Sequence, residues 1–452
     1  MAASSPACHA GPPAAAPLPF ASRRALMPMW GQAVLPSESW PAAWNTIAAT
    51  PLPERALVYV HIPFCANHCV FCGFYRNGWN AGLAEQYVDR LVADIEAEAA
   101  RRPAGGSIAA VYLGGGTPTL LPAGQLTRLL QTLRRCLPLA PDCEITVEGR
   151  MSHFDAGKVD ACLAAGANRF SIGVQTFDSA IRRRLGRKHA GDEAAAYLAW
   201  LARHSQAVVV TDLIFGLPGQ TEAVWQRDLD TALSLGLSGI DVYAFNLYPH
   251  LPVNRMIEKG ALPPAPGLAE VAAQYGLAHQ AFTAAGWEQL SNSHFGAPGR
   301  GERNHYNRAI KSGATCLAFG AGAGGNHAGL SYAVEPDVAG YIGAAGSKPL
   351  ARLARLGEHH GWVSRLQGDV EAGRLDPAVL PHPEQLAGSL ARWQDAGLVT
   401  PEPAGTGWQL TPAGRFWGPT LTRAVVDTMI PPSADTMPPH AMMHMMKRKE
   451  AA

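Results

Sequence analysis

Along this chain the spacing of apolar positions changes repeatedly. From Arg55 onward, short runs of β-branched, aromatic and aliphatic residues alternate with stretches whose apolar residues recur every three or four positions. The runs read as strands and the stretches as amphipathic helices laid over them. Six strands are predicted: ALVYVHI (56–62), IAAVYLG (108–114), CEITVEG (143–149), RFSIGVQ (169–175), AVVVTDLIFG (207–216) and GIDVYAFN (239–246). Helical stretches lie between them, among them 83–102, 123–137 and 222–236. Such alternation is the pattern of βα units around a parallel sheet. Six units are too few to close a full TIM barrel, so the expected fold class is α/β, a partial (β/α)6 TIM-like barrel.

Beyond Pro249 the rhythm breaks. Residues 268–286 form an amphipathic helix pattern, followed by the Gly-, Asn- and His-rich stretch SNSHFGAPGRGERNHYN and by CLAFGAGAGGNHAG. From about Leu350 the pattern is mainly helical, and GLVTPEPAGTGWQLTPAGRFW (397–417) reads as two short strands around a turn. That combination predicts a C-terminal α+β, winged-helix-like region, with an ordinary helical cap as the other reading. Residues up to about 55 are rich in Ala and Pro and read as a loosely ordered extension. The expected division is an N-terminal extension (1–54), the barrel (55–250), a barrel-capping substrate region (251–345), the helical, winged-helix-like part (346–430) and a Met/His-rich tail (431–452).

Composition narrows the function classes. At 452 residues the chain is long enough for two or three domains. Lys plus Arg number 37 against 36 Asp plus Glu, so no broad basic field points to nucleic acid. No apolar run approaches the roughly 18 residues of a membrane span, and the start lacks the basic flank of a secretory signal. Of the eight cysteines, three cluster while Cys8, Cys136, Cys143, Cys162 and Cys316 are scattered. A chain of this size does not need disulfides, and clustered cysteines in an intracellular enzyme bind metal. The expectation is a soluble protein of the reducing cytoplasm.

The cluster lies in HIPFCANHCVFCGFYRNGWN (61–80), as Cys65, Cys69 and Cys72. A structural zinc site needs four ligands, which here would draw in His61 or His68, and no second cysteine pair follows downstream. A four-iron cluster held by three thiolates leaves one iron without a protein ligand, open to chelate a small molecule. The compact triad suits the second arrangement better, and Phe71 would shield it.

CANHCVFC resembles the CxxxCxΦC loop of the radical S-adenosylmethionine (radical SAM) enzymes, and it follows the first strand as it does there. That resemblance implies a [4Fe-4S] cluster whose open iron binds the amino and carboxylate groups of SAM, and whose electron splits the sulfonium to give a 5′-deoxyadenosyl radical. In barrels of this kind, chemistry gathers at the carboxyl ends of the strands. There the second strand gives LGGGTPT, with Gly114, Gly115, Gly116 and Thr117, which looks like the family's motif for the SAM amino group. The third ends at Glu148 and the fourth at Gln175, with Arg187 beyond. The fifth carries Asp212 in an apolar run, where a lone carboxylate is costly unless paired or liganded.

Together YVHIPFC, LGGGTPT, FSIGVQTF and DLIFGLPGQT resemble the branch containing oxygen-independent coproporphyrinogen dehydrogenase, most strongly over residues 55–250. The resemblance implies SAM contacts at Tyr59, Phe71, Gly115, Gly116, Thr117, Glu148, Gln175, Arg187, Asp212 and Asn246. It further implies two SAM molecules, with Tyr59, Gly115 and Glu148 at the cluster-bound one and Phe71, Gly116, Thr117, Gln175, Arg187 and Asp212 at the second. Two departures matter. Phe74 stands where the dehydrogenase has a fourth cysteine, and Gly73 stands where the branch's haem chaperones read C-D-F. CGFY, PFASRRALMPMWG and LTPAGRFWGPTL look most like the anaerobic haem-degrading radical SAM methyltransferases of the ChuW/HutW type. That group implies methyl transfer from SAM to haem, opening of the macrocycle to a linear tetrapyrrole and release of iron. Electrons would come from a flavodoxin or a flavin reductase. Candidate haem contacts are His250, His294, Arg303, His305, His327 and the HAMMHMMK tail. The alternatives are a haem chaperone of the same branch and the coproporphyrinogen III dehydrogenase reaction itself.

Overall fold

A computed structural model describes residues 18–26, 31–73, 77–248, 251–344, 346, 348–403, 405 and 407–430. Phe74, His250 and the Met/His tail lie outside the described residues. The six predicted strands form as β1 (Ala56–Ile62), β2 (Ile108–Gly115), β3 (Leu139–Gly149), β4 (Arg169–Gln175), β5 (Val208–Phe215) and β6 (Gly239–Ala244). They are parallel neighbours in chain order. Strand alternation sorts their side chains onto two faces. On β1, Val58, Val60 and Ile62 join Tyr87 and Leu91 of the helix Ala81–Arg101 in the main core. Leu57 turns the other way, into a smaller inner core with Ala110, Tyr112, Tyr306 and Cys316, against which Tyr59 packs.

The covering helices start where short polar side chains satisfy their first free amides. Asn80 accepts from Leu83 N, Asp155 from Lys158 N and Thr221 from Val224 N. Among the described residues no helix is long and apolar enough to cross a membrane. The seven described cysteines are free thiols.

The sheet extends further than the six-strand pattern. A seventh parallel strand, β7 (Cys316–Phe319), pairs with β1 from the far end of the chain, Cys316 opposite Leu57 and Phe319 opposite Val60. All four of its residues are buried. Its CLAF run is too short for periodicity to distinguish from a Gly-rich loop. Antiparallel strands then flank both sides, giving thirteen strands in all. Gly324–His327, Leu330–Val334, Leu350–Arg355 and Ala33–Val34 lie beyond β7. His294–Gly296 and Glu288–Gln289 lie beyond β6. The main sheet therefore runs across the expected boundary at residue 346. Within the stretch expected to be a loose extension, Trp40–Ala49 is a helix with Trp44 and Ile47 buried, and Trp44 meets Tyr332 edge-on at 5.1 Å. Its Ala/Pro-rich composition hides a helical spacing at 40, 44 and 47. At the C-terminus, Val399–Pro401 and Trp408–Leu410 pair as the predicted hairpin, joined by Arg374–Leu375 and packed with the helices His360–Glu371 and Ala387–Asp395.

Candidate active site at the carboxyl ends of the strands

The cysteine loop leaves β1 and is held by the end of β2. Gly116 N donates to Ile62 O at 2.8 Å and Thr117 N to Phe64 O at 2.8 Å. Phe64–Cys65 also pairs with Asn77–Gly78. Cys65 and Cys69 are buried and Cys72, whose amide donates to Cys69 O at 3.0 Å, is half-buried. Two sulfurs have donors aimed at them: Thr117 Oγ1 at 3.6 Å from Cys65 Sγ, and Asn67 Nδ2 at 3.9 Å from Cys69 Sγ. Burial pushes the Cys65 thiol up, while the Thr117 donor and Arg150 pull it down. Three thiols on one loop, with donors turned to the sulfurs, are the donor set an iron–sulfur cluster takes. His61, a zinc-ligand alternative, is engaged in the barrel, its Nδ1 at 3.0 Å from Tyr59 OH.

The glycine run at the end of β2 is packed closely against the protein itself. A Cβ on Gly115, whose φ is +107°, would lie 2.5 Å from the His61 ring, and one on Gly116 would lie 2.5 Å from Phe64 O. Gly115 N donates to Glu148 Oε2 at 3.2 Å, and Tyr112 OH donates to Glu148 Oε1 at 2.6 Å. Burial raises Glu148, and these two hydrogen bonds oppose the rise. Tyr59 lies deeper on the inner face, its ring 6.5 Å from Tyr112 and 6.3 Å from Tyr306.

Three predicted residues converge on a missing side chain. A Cβ built on Gly173 of β4 would meet Gln175 Nε2 at 2.8 Å, Arg187 at 3.7 Å and Asp212 Oδ2 at 3.7 Å. Gln175 holds φ +71°, unusual for a residue with a side chain, and its buried Oε1 has no hydrogen-bond partner among the described residues. Arg187 Nε is likewise buried without one, and the guanidinium lies 5.9 Å over the Phe71 ring. Burial pushes Arg187 down to about 10. Asp212 is pushed up to about 8, first by burial and then by Asp241 and Glu148. Buried polar atoms without a partner, such as Gln175 Oε1 and Arg187 Nε, are what a polar ligand would satisfy. Asn246 stands apart, exposed past the end of β6, among the exposed side chains of Tyr243, Leu247 and Tyr248.

The haem-contact candidates fare differently. His294 is fully buried between Asp241 (2.9 Å) and Glu302 (3.2 Å), and the two carboxylates outweigh its burial to hold it up at about 9. A cation so enclosed is no iron ligand. His327 gives its Nε2 to Thr50 O at 3.0 Å. Arg303 pairs with Asp142 at 3.4 Å, and His305 opens a helix whose first amides donate to Glu144. Asp142 and Glu144 lie in the first half of β3, so Arg303 and His305 sit at the rim opposite the cysteine loop. Residues that sequence reasoning missed include Tyr112, Asn67, Arg150 and Asp241, and His61 entered it only as a zinc ligand. Their signal is position alone: His61 is two residues from Tyr59 on the same face, and Arg150 follows the Glu148–Gly149 strand end.

A sequence model of the radical SAM superfamily matches residues 59–232. Anaerobilin synthase of Escherichia coli O157:H7 is 45% identical over 413 residues, covering 90% of this chain and 92% of that one. The chain belongs to this radical SAM family. Heme chaperone HemW of Synechocystis sp. is 32% identical over 249 residues, covering 53% of this chain and 59% of that one. The solved coproporphyrinogen III oxidase HemN of Escherichia coli shares the fold at a TM-score of 0.71 and 23% identity, over 90% of this chain and 96% of that one.

Proposed function

We propose that this chain degrades haem without oxygen, using SAM cleaved at a [4Fe-4S] cluster held by Cys65, Cys69 and Cys72. The products are free iron and a linear tetrapyrrole carrying a methyl carbon from SAM. The observation that carries this reading is the likeness to anaerobilin synthase along nine tenths of the chain, which exceeds that to HemW in both identity and extent. Opening haem with activated oxygen would destroy an exposed iron–sulfur cluster, so a carbon-centred route suits this donor set. We place the reaction in a reducing cytoplasm.

When bound, the cluster supplies the electron that breaks the SAM sulfonium bond. Everything else falls to the chain. Thr117 and Asn67 steady two thiolate sulfurs. Glu148, fixed by Tyr112 and Gly115, would with Tyr59 contribute to holding the cluster-bound SAM. Gln175, Arg187 and Asp212, gathered around Gly173, would hold a second SAM, with Phe71 beneath Arg187 and with Gly116 and Thr117 as further contacts. Burial and its acidic neighbours favour the protonated form of Asp212, which can donate a hydrogen bond where a carboxylate could only accept.

The test is anoxic incubation of the iron- and sulfide-reconstituted protein with haem, SAM and dithionite. The expected result is loss of the Soret band, iron captured by a chelator, and a product heavier by one methyl-derived carbon. A persistent Soret band would favour a chaperone like HemW, and released carbon dioxide would favour the coproporphyrinogen reaction.

A further inference from the structure

The reaction proposed above consumes electrons, and they reach the cysteine loop through whatever surface covers it. Leu251 and Val253 cover one side of that loop, and the turn RRRLGRKH, residues 182–189, covers another. Asn67 Nδ2 donates to Gly186 O at 3.0 Å, and a Cβ on Gly186 would lie 3.5 Å from His68 O and 3.9 Å from Cys69 Cα. Two of the turn's cations point inward. Arg182 is buried and donates to Val174 O, Thr176 O and His189 O, which fixes the shape of the turn. Arg187 lies over Phe71.

The other three face solvent. Arg183, Arg184 and Lys188 are exposed, and among the described residues no carboxylate lies within ion-pair distance of any of them. Beside them a crevice of about 30 Å³ opens between Asn67 and the turn, lined by Arg150, His153, Lys188 and His189 among others, with no acidic side chain in its lining. Three carboxylates of neighbouring segments are already engaged: Glu193 lies 3.4 Å from His189, and Asp155 and Asp178 cap their own helices. The whole chain carries a formal net charge of only +1, so this concentration of positive charge is local.

We propose that Arg183, Arg184 and Lys188, around the cysteine loop, form the docking surface for an acidic protein that carries a one-electron centre. A positive patch on an otherwise balanced surface steers an acidic partner and orients it. Tunnelling falls steeply with distance, and this turn is hydrogen-bonded to the cysteine loop through Asn67 and Gly186 O. One electron leaves the reduced carrier and enters the iron–sulfur group on the loop. The carrier is oxidised by one electron, that group is reduced by one, and no atom is transferred.

The proposal rests on the proposed function, and its test uses a purified acidic flavodoxin as probe with the reconstituted full-length protein. Without turnover, affinity is measured by titration calorimetry across ionic strength. The R183E/K188E double variant is expected to bind at least tenfold more weakly and with a flattened salt dependence, while R183K/K188R binds like wild type. In turnover, the charge-reversed variant loses flavodoxin-driven rate and keeps dithionite-driven rate. Unchanged affinity, an equal loss with dithionite, or a raised haem KM under dithionite would overturn the proposal, the last pointing to substrate carboxylates instead. Should wild type fail to bleach haem even with dithionite, the functional reading fails while the binding result still decides the surface.

Discussion

Asp212 stands in register with Asp241 on the next strand, and two carboxylates placed so cannot both ionise cheaply. Burial and that neighbour raise Asp212 to about 8, whereas an unfolded aspartate titrates near 4. The folded state therefore holds more protons than the unfolded state between those values. The stability tied to this group is present at low pH and is lost as pH rises through about 8. Asp212→Asn removes the dependence, so its Tm should fall less than that of wild type between pH 5 and pH 9 in parallel scanning calorimetry. Cys69→Ala should abolish SAM cleavage, read as 5′-deoxyadenosine, while haem titration by absorbance stays within about twofold of wild type. Equal loss of both would make the triad structural. Asp212 was legible in the sequence as a lone acid in an apolar run. Asp241 was not, because strand order and register decide which carboxylates face each other.

The connection from β2 to the cysteine loop depends on an absent side chain. Gly116→Ala would set a Cβ 2.5 Å from Phe64 O and 2.9 Å from Ile62 O, the two carbonyls that receive the Thr117 and Gly116 amides. Backbone cannot yield there as a flexible side chain could. Reconstituted iron and sulfide per chain should drop at least severalfold, with the circular dichroism of the sheet retained. Wild-type iron content in the variant would refute the clamp. The six strands were legible because each is an apolar run between turn residues. β7 was not: four residues show no period, and pairing with a distant strand is a tertiary event. The polar network under the rim escaped for the same reason. Arg169, Glu302, His294 and Asp241 come from separate stretches, and only folding places Arg169 Nε 3.0 Å from Glu302 and His294 between two acids. Arg169 and His294 hold Glu302 down at about 2 against its burial. Its stabilisation is complete above the ordinary glutamate range and is lost as pH falls toward 2. That of His294 is complete below its ordinary 6.5 and is lost as pH rises through about 9.

At the scale of the molecule, the two ends of the described chain hold each other. Phe20 packs 5.3 Å from Trp417, and the Arg23 guanidinium sits 5.0 Å over Phe416 while its Nε donates to Phe416 O. Arg24 N donates to Thr420 Oγ1 at 2.8 Å. Deleting residues 1–26 should lower Tm by a few degrees, consistent with about 1–2 kcal/mol in a chain of this size, and should speed amide exchange in Gly418–Met429. Unchanged exchange there would show that the strap carries no stability.

The late arrival of β7 also orders the protein's birth. Leu57 N donates to Thr315 O, so the strand that leads into the cysteine loop keeps a bare edge until more than half the polypeptide has followed it out of the ribosome. Nascent chains stalled ahead of Thr315 are therefore expected to take up less iron than released full-length chains, read as colour on anoxic reconstitution.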